Sequence, residues 1–128
     1  FGTGSGGRYA VLAASRIDRF NAAIDCWGGG VLMSSEELTP KQPVAPIDYT
    51  KDLKCPLLGI FGEEGQAPSV AQVDQHEAEL KNHRKPYEFY RYPNIDHDFI
   101  DFERPSYRRV QAVDAWQKMF EFLDKYLR

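Results

Sequence analysis

Apolar runs of strand length alternate along the chain with segments whose apolar residues recur at helical spacing. Pro56–Phe61 (PLLGIF) is continuously apolar, which is typical of a strand covered on both faces of a sheet. Asn21–Trp27 (NAAIDCW) and the alternating, aromatic Tyr87–Tyr92 (YEFYRY) are also predicted to be strands. Val31–Lys54 is rich in proline and is expected to be a loop with at most one helical turn.

Three further segments are predicted to be helices. Arg8–Arg16 is short and alanine-rich, and it follows a glycine-rich turn, Gly2–Gly7. A second helix begins after Ser69, whose spacing to Gln72 is that of a capping box. The last begins near Pro105, since proline suits a first helical turn. Its apolar residues recur every three or four positions and are expected to pack on the sheet: Val110, Val113, Trp116, Phe120, Leu123 and Leu127.

This order of elements predicts an α/β fold over residues 1–128, with three αβα layers around a mainly parallel sheet. In such sheets ligands bind at the carboxyl ends of the strands. The chemistry is therefore expected in the loops Gly2–Gly7, Gly28–Pro46, Gly62–Pro68 and Asn94–Arg104.

Composition narrows the classes of function. The 128 residues suffice for one domain with a hydrophobic core, and the net charge of −3 favours neither nucleic acid nor an anionic membrane as a partner. No apolar run approaches the roughly 20 residues that span a bilayer, and no signal peptide follows Phe1. Cys26 and Cys55 lie in or beside apolar runs, so buried, reduced thiols and a cytoplasmic location are expected.

Three loop segments carry sequence motifs: Gly2–Arg8 (GTGSGGR), Leu57–Pro68 (LLGIFGEEGQAP) and Tyr92–Phe99 (YPNIDHDF). Together they resemble the motifs of the dienelactone hydrolase family, within the α/β-hydrolase superfamily. Gly2–Arg8 (GTGSGGR) is similar to the family's nucleophile elbow, Gly-x-Cys-x-Gly-Gly-Arg. Leu57–Pro68 is similar to its acid loop, and Tyr92–Phe99 (YPNIDHDF) to its histidine loop, Tyr-Pro-x-x-x-His-x-Phe. The motifs follow the order of the family's C-terminal half only. The resemblance therefore implies an incomplete α/β-hydrolase fold and a cofactor-free hydrolase of esters or lactones.

Two positions of the catalytic triad that this resemblance implies carry glycine. Aligned on its glycines and arginine, the elbow has Gly4 where the family has cysteine or serine. Aligned on its flanking glycine and proline, the acid loop has Gly65 where the family has aspartate. His97 keeps the histidine position and is the best catalytic candidate. A triad that loses its nucleophile loses most of its catalysis, because its members act as a unit.

Other side chains could restore parts of the triad. A shift of one residue in the alignment would make Ser5 the nucleophile; otherwise Ser5 is a helix N-cap or first-turn residue, with its amide in half of the oxyanion hole. Glu63 or Glu64 could replace the missing acid, or both could be solvated loop carboxylates. His97 itself could face a pocket, or it could be bonded to backbone or water.

Binding residues are expected beside the same loops. Trp27 and Phe99 could line an apolar pocket, although aromatic residues near strand ends also serve as core. Arg8 and Arg104 could bind a substrate carboxylate, which the anionic lactone of this family would require, or they could form surface ion pairs.

Metal and thiol chemistry are not expected. His76 and His83 lie seven residues apart on one predicted helix, where a solvated face is expected rather than a metal site. Cys26 has no basic neighbour in sequence and is expected to be an inert, buried thiol. The resemblance to a cofactor-free family likewise implies that no cofactor is needed.

Two functions remain open: an ester or lactone hydrolase by ancestry, acting on a small substrate, or a non-catalytic remnant that serves as a binding or oligomerisation module. Without the front half of the fold, the strand Asn21–Trp27 is expected to have an open edge. A partner is therefore predicted, either a second copy in a homo-oligomer, such as a dimer, or the missing N-terminal half.

Overall fold

The computed structural model describes residues 1–127, and Arg128 lies outside the described residues. Within residues 1–127 the elements are β1 (Gly2–Thr3), α1 (Ser5–Arg16), β2 (Ala23–Cys26), a 3-10 helix (Pro46–Asp52), β3 (Leu57–Gly62), α2 (Val70–Asn82), β4 (Tyr87–Tyr92) and α3 (Arg109–Leu127). The strands form one parallel sheet in the order β1-β2-β3-β4. The predicted α/β class is confirmed.

Helices cover both faces of this sheet. Successive residues of β3 point to opposite sides, as the two-residue period of a strand requires. Leu57 packs with Val11 of α1 and Leu80 of α2, whereas Leu58 packs with Met119 of α3. All five side chains are buried. The result is the predicted three-layer arrangement, with α1 and α2 on one face and α3 on the other.

The chain begins with a strand that the sequence did not predict. Gly2 and Thr3 pair in parallel with β2, and α1 starts at Ser5, three residues before the predicted start. Glycine is a poor helix former, so the glycine-rich first turn gave no helical signal. Because β2 has a neighbour on both sides, the open edge of the sheet belongs to β1. The expectation of an open edge at Asn21–Trp27 was wrong.

The loop after β2 contains more helix than predicted. The 3-10 helix Pro46–Asp52 has seven residues, which is more than one turn. Pro46 stands at its first position, and the hydroxyl of Thr50 donates to the carbonyl of Ile47 at 2.5 Å. The helix packs beside α1, where Lys54 N–H donates to Ala14 O at 3.2 Å.

Local signals placed α2 and β4 correctly. Ser69 N–H donates to Gln72 Oε1 at 2.9 Å, and Gln72 N–H donates to Ser69 Oγ at 3.3 Å. This is the reciprocal pair of a capping box, so the predicted start of α2 is confirmed. Strand β4 has the predicted bounds, Tyr87–Tyr92.

The predicted sheet-facing stripe of α3 was wrong. The helix begins at Arg109 rather than near Pro105, after a turn in which Arg108 N–H donates to Phe99 O at 3.1 Å. The residues that pack on the sheet are Ala112, Ala115, Met119 and Phe122. The exposed apolar residues are Val110, Val113, Trp116, Phe120 and Leu127, with Leu123 partly buried. Two faces of α3 are therefore apolar, and spacing alone could not tell which one meets the sheet.

The histidines of α2 do not share a solvated face, which corrects the prediction. His76 is buried and packs edge-on against Phe89, with ring centroids 5.3 Å apart. Burial lowers the pKa of His76 to about 4, because desolvation disfavours the charged imidazole. His83 caps the end of α2, where its Nε2 lies 3.2 Å from Glu79 Oε2.

No helix within residues 1–127 has the length and hydropathy to cross a membrane. Nor does the same range bring three or more histidine, cysteine, aspartate or glutamate side chains together in a way that could hold a metal ion.

Candidate active site

The turn between β1 and α1 has the backbone of a nucleophile elbow at Gly4. Gly4 precedes α1 with φ 58° and ψ −126°, a conformation that side-chain-bearing residues rarely adopt. Its N–H donates to Cys26 O at 3.0 Å, which fixes the turn against β2. A Cβ at this position would lie 3.5 Å from Nε1 of Trp27, an ordinary van der Waals contact. The elbow thus leaves room for a side chain that the sequence lacks.

Ser5 does not occupy the strained position of the elbow. It is the first residue of α1, it is exposed, and the positive φ belongs to Gly4. Its amide stands in the first turn of the helix, where N–H groups have no acceptor within the helix. That amide is a candidate donor to an oxyanion.

The imidazole of His97 lies in the loop between β4 and α3. Its Nδ1 atom is buried and has no hydrogen-bond partner within residues 1–127. Asp96 Oδ1 accepts the backbone N–H of His97 at 2.7 Å and lies 3.2 Å from Nδ1, close enough for an ion pair with a charged ring but not aligned for a hydrogen bond. The nitrogen that a triad acid would hold therefore has a carboxylate oxygen at ion-pair distance but no hydrogen bond.

Gly65 stands beside that nitrogen. It is buried, and a Cβ built on it would lie 2.8 Å from His97 Nδ1 and 2.9 Å from His97 Cβ. The imidazole therefore occupies the space that a side chain at position 65 would need. Glu63 and Glu64 are exposed, and their backbone N–H groups bond Tyr92 O and Ile95 O.

Trp27 connects the elbow to the histidine. Its indole contacts the place of a side chain on Gly4, and its ring centroid lies 6.1 Å from that of His97. It is buried and has a φ of 46°, a left-handed conformation that is uncommon for an aromatic residue. Gly4, Trp27, His97 and Gly65 thus form one contiguous cluster.

The other predicted binding residues make contacts outside this cluster. Phe99 is fully buried against Tyr92, with ring centroids 4.9 Å apart, so it belongs to the core and does not line an open pocket. Arg104 is exposed, and its Nε lies 3.5 Å from Asp101 Oδ2. The guanidinium of Arg8 lies over the Tyr9 ring at 5.1 Å, and its Nε is buried without a hydrogen-bond partner among the described residues.

Cys26 is buried, as the sequence predicted. Its Sγ lies 3.8 Å from Met119 Sδ in the core. Burial and then the neighbouring Asp25 carboxylate raise the pKa of this thiol to about 12. A thiol with such a pKa is protonated at neutral pH and is a poor nucleophile.

Asp25 is a buried carboxyl under the elbow that sequence reasoning did not single out. Its Oδ1 accepts Gly28 N–H at 2.7 Å, while Oδ2 has no partner within residues 1–127. A Cβ on Gly7 or Gly28 would overlap this carboxyl, so both must be glycine for it to fit. Burial raises the pKa of Asp25 to about 7, against the opposing effect of the Gly28 hydrogen bond. The sequence feature that could have identified this residue is the presence of a charged side chain inside an otherwise apolar strand.

We expect Asp25→Asn to raise the free energy of unfolding above pH 7, by up to about 4 kcal/mol, and to change it little at pH 4. Between about pH 4 and 7 folded Asp25 keeps a proton that the unfolded chain has released, so stability falls as the pH rises. His76 has the opposite sign: stability falls as the pH drops from about 6.5 to 4.

Urea unfolding at pH 4, 5.5 and 8 measures both contributions. The variant keeps an acceptor for Gly28 N–H, so only the charge changes. In Asp25→Asn the opposing contribution of Asp25 is absent, so stability should rise with pH from 4 to 6.5, as the lowered pKa of His76 requires. An unchanged pH profile would show that Asp25 is ionised in the folded protein.

The parallel sheet, the strained turn before α1 and the histidine loop after β4 are features of an α/β-hydrolase fold. The fold agrees with that of Pyrococcus horikoshii acylaminoacyl peptidase, at a TM-score of 0.77 and 20% identity over 98% of this chain and 23% of the peptidase.

The profile of the dienelactone hydrolase family matches residues 1–127, and the chain belongs to this family. A Methylorubrum extorquens protein provisionally named carboxymethylenebutenolidase is 34% identical over 121 residues, which are 94% of this chain and 40% of that protein. A structure assigned provisionally as a dienelactone hydrolase, from Klebsiella pneumoniae, has a TM-score of 0.87 and 29% identity over 97% of this chain and 51% of the other. The chain thus spans about half the length of these relatives or less.

Proposed function

We propose that this chain is the histidine-bearing half of an ester- or lactone-hydrolase site that has lost its nucleophile and its acid, and that it acts without catalysis. The observation that carries this proposal is the position of the two glycines. Gly4 has the strained elbow backbone without a side chain, and Gly65 lies against Nδ1 of His97, which has no hydrogen-bond partner among the described residues.

The chemistry explains why these two losses abolish the reaction. Acyl transfer needs a nucleophile, a base that takes its proton, a group that orients the base and donors for the oxyanion. His97 could act as the base and the Ser5 amide as one donor, but residue 4 has no proton to give. In a serine protease, removing the nucleophile lowers kcat on the order of a millionfold.

What remains can bind without reacting. Trp27 and His97 supply an indole and an imidazole beside the empty elbow, which suits a small ester or lactone. The chain therefore binds the substrate class of the family but does not hydrolyse it.

We expect no labelling of this chain by a fluorophosphonate probe and no hydrolysis of aryl esters above the rate in buffer. The physical reason is that Ser5 lies one residue beyond the strained elbow position and has an ordinary hydroxyl. Mass spectrometry after incubation with the probe measures the labelling, and p-nitrophenolate release measures turnover.

Ser5→Ala is the matched control for this experiment. The wild type and the variant should give the same background. If the probe labels the wild type and Ser5→Ala abolishes the labelling, Ser5 is a working nucleophile and the proposed loss of catalysis is wrong.

A further inference from the structure

The loop that carries His97 also places a carboxylate beside the imidazole. Asp96 Oδ1 lies 3.2 Å from His97 Nδ1, and among residues 1–127 it is the only acidic oxygen within 4.0 Å of a His97 ring nitrogen. The same oxygen accepts the backbone N–H of His97 at 2.7 Å. That hydrogen bond holds the carboxylate next to the ring.

Backbone contacts hold the acid loop against the histidine loop. Glu64 N–H donates to Ile95 O at 3.0 Å. A Cβ on Gly62 would overlap the carbonyl group of Asp96, so glycine at position 62 lets the two loops come this close. The acid loop therefore still supports the histidine loop, although it supplies no carboxylate to the imidazole.

The two nitrogens of the imidazole have different surroundings. Nδ1 is buried and forms no hydrogen bond within residues 1–127. The side chain as a whole is 31% exposed, so the exposed part of the ring lies on the side of Nε2. Water can therefore reach Nε2, whereas the oxygen of Asp96 is the acceptor nearest to Nδ1.

A carboxylate oxygen at this distance affects which nitrogen carries the proton of the neutral ring. A proton on Nδ1 places a positively polarised hydrogen near the oxygen of Asp96. A proton on Nε2 instead leaves a buried lone pair of Nδ1 beside a negatively charged oxygen, and this arrangement is unfavourable. The contact is not aligned for a hydrogen bond, but its electrostatic effect favours the Nδ1–H tautomer.

We propose that Asp96 is a positioning residue that holds the proton of neutral His97 on Nδ1, in the role that an acid at position 65 would have. Gly65 permits this arrangement, because the ring occupies the space that a side chain there would need. Nε2 then keeps its lone pair and remains a hydrogen-bond acceptor. In a catalytic triad this is the nitrogen that takes the proton of the nucleophile.

The role of Asp96 rests on the site that the proposed function describes, but not on the absence of a nucleophile. An inert residue 4 and a working Ser5 would leave the same carboxylate beside the same nitrogen. Labelling of Ser5 by the fluorophosphonate would thus overturn the loss of catalysis without affecting Asp96. The position of the proton on His97 is a separate observation.

NMR correlations between the ring protons and ring nitrogens of the full, nitrogen-15-labelled chain measure the tautomer. The spectra are recorded at pH 8.5, about two units above the ordinary pKa of histidine. The chain has three histidines, so His97→Gln identifies the signals of His97 by their loss. We expect Nδ1 of His97 to resonate as a protonated nitrogen and Nε2 as an unprotonated one.

Asp96→Ala should shift the ratio of the two tautomers toward Nε2–H by at least about threefold, because Nδ1 loses the neighbouring carboxylate. Asp96→Asn keeps an oxygen for the backbone N–H of His97 and beside Nδ1, so it should retain more of the Nδ1–H form than Asp96→Ala. Asp98→Ala is the matched control. It removes the carboxylate that follows His97 in sequence and accepts the hydroxyl of Ser106, and it should leave the ratio unchanged.

A wild-type ring with its proton on Nε2 would overturn the proposal, as would a wild-type ratio in Asp96→Ala. Equal ratios in Asp96→Ala and Asp96→Asn would show that an oxygen beside Nδ1 does not place the proton. An equal shift in Asp98→Ala would mean that the ratio reports a disturbed loop, and the proposal would fail. Circular dichroism checks that each variant is folded.

Discussion

Phe99→Ala is expected to lower the free energy of unfolding by about 3–5 kcal/mol. Phe99 is fully buried and packs against Tyr92, so truncation removes a whole ring and leaves a cavity that the neighbouring side chains cannot fill. A domain of this size is stable by only about 5–15 kcal/mol, so the loss is a large share of the total. Urea denaturation followed by circular dichroism measures it, with the slope m as a check of two-state unfolding.

Phe102→Ala is the matched control, because Phe102 lies three residues further along the same loop and is 77% exposed. We expect its free energy of unfolding to stay within about 0.5 kcal/mol of the wild type. Equal and small effects for the two variants would mean that Phe99 lines an open pocket, as the sequence allowed, and is not part of the core.

The elements that depend on local sequence were predictable. Strands β3 and β4 show an apolar run and an aromatic alternation, and the start of α2 is fixed by the side chains of Ser69 and Gln72. Each of these signals is complete within a few residues. Neither tertiary packing nor a partner is needed to interpret it.

The elements that depend on distant contacts were not predictable. Strand β1 has two residues and exists because Gly2 and Thr3 pair with β2, more than twenty positions away. Which apolar face of α3 meets the sheet is set by tertiary packing: Ala112 and Phe122 are buried there, whereas Trp116 is partly exposed. Periodicity reports that a face is apolar, but not what covers it.

The candidate site also contains residues that the sequence could predict and contacts that it could not. Loop motifs pointed to Gly4, Gly65 and His97, and the folded chain brings Gly65 against the imidazole. The sequence could not show that Trp27 stands between the elbow and the histidine, because that contact joins two loops. Nor could it show that Asp25 is buried under the elbow.

Gly4→Cys is expected to create a thiol with a lowered pKa, on the order of 10 to 100 times more reactive at pH 6 than a cysteine at position 5. A thiol at position 4 lies in the cluster that contains His97, and a neighbouring imidazole favours the thiolate. Positions 4 and 5 both lie at the start of α1, so the helix terminus does not distinguish them. The strained backbone at Gly4 costs about 1–3 kcal/mol for a side chain, so circular dichroism must show that the variant folds.

The two native cysteines do not interfere with measuring the reactivity of the introduced cysteine. Cys26 and Cys55 are buried, and burial raises the pKa of both. Neither forms a thiolate near pH 6, so the introduced cysteine dominates alkylation. His97→Gln in the Gly4→Cys background separates the effect of the imidazole from that of the helix terminus.

The decisive measurement is the rate of iodoacetamide alkylation against pH for Gly4→Cys and Ser5→Cys, each with and without His97→Gln. If glycine occupies the nucleophile position, the cysteine at position 4 should react at the lower pH, and His97→Gln should shift its profile upward while leaving that of position 5 unchanged. An activated cysteine at position 5 that depends on His97, beside an ordinary one at position 4, would contradict the assignment of the elbow and the proposed loss of the nucleophile.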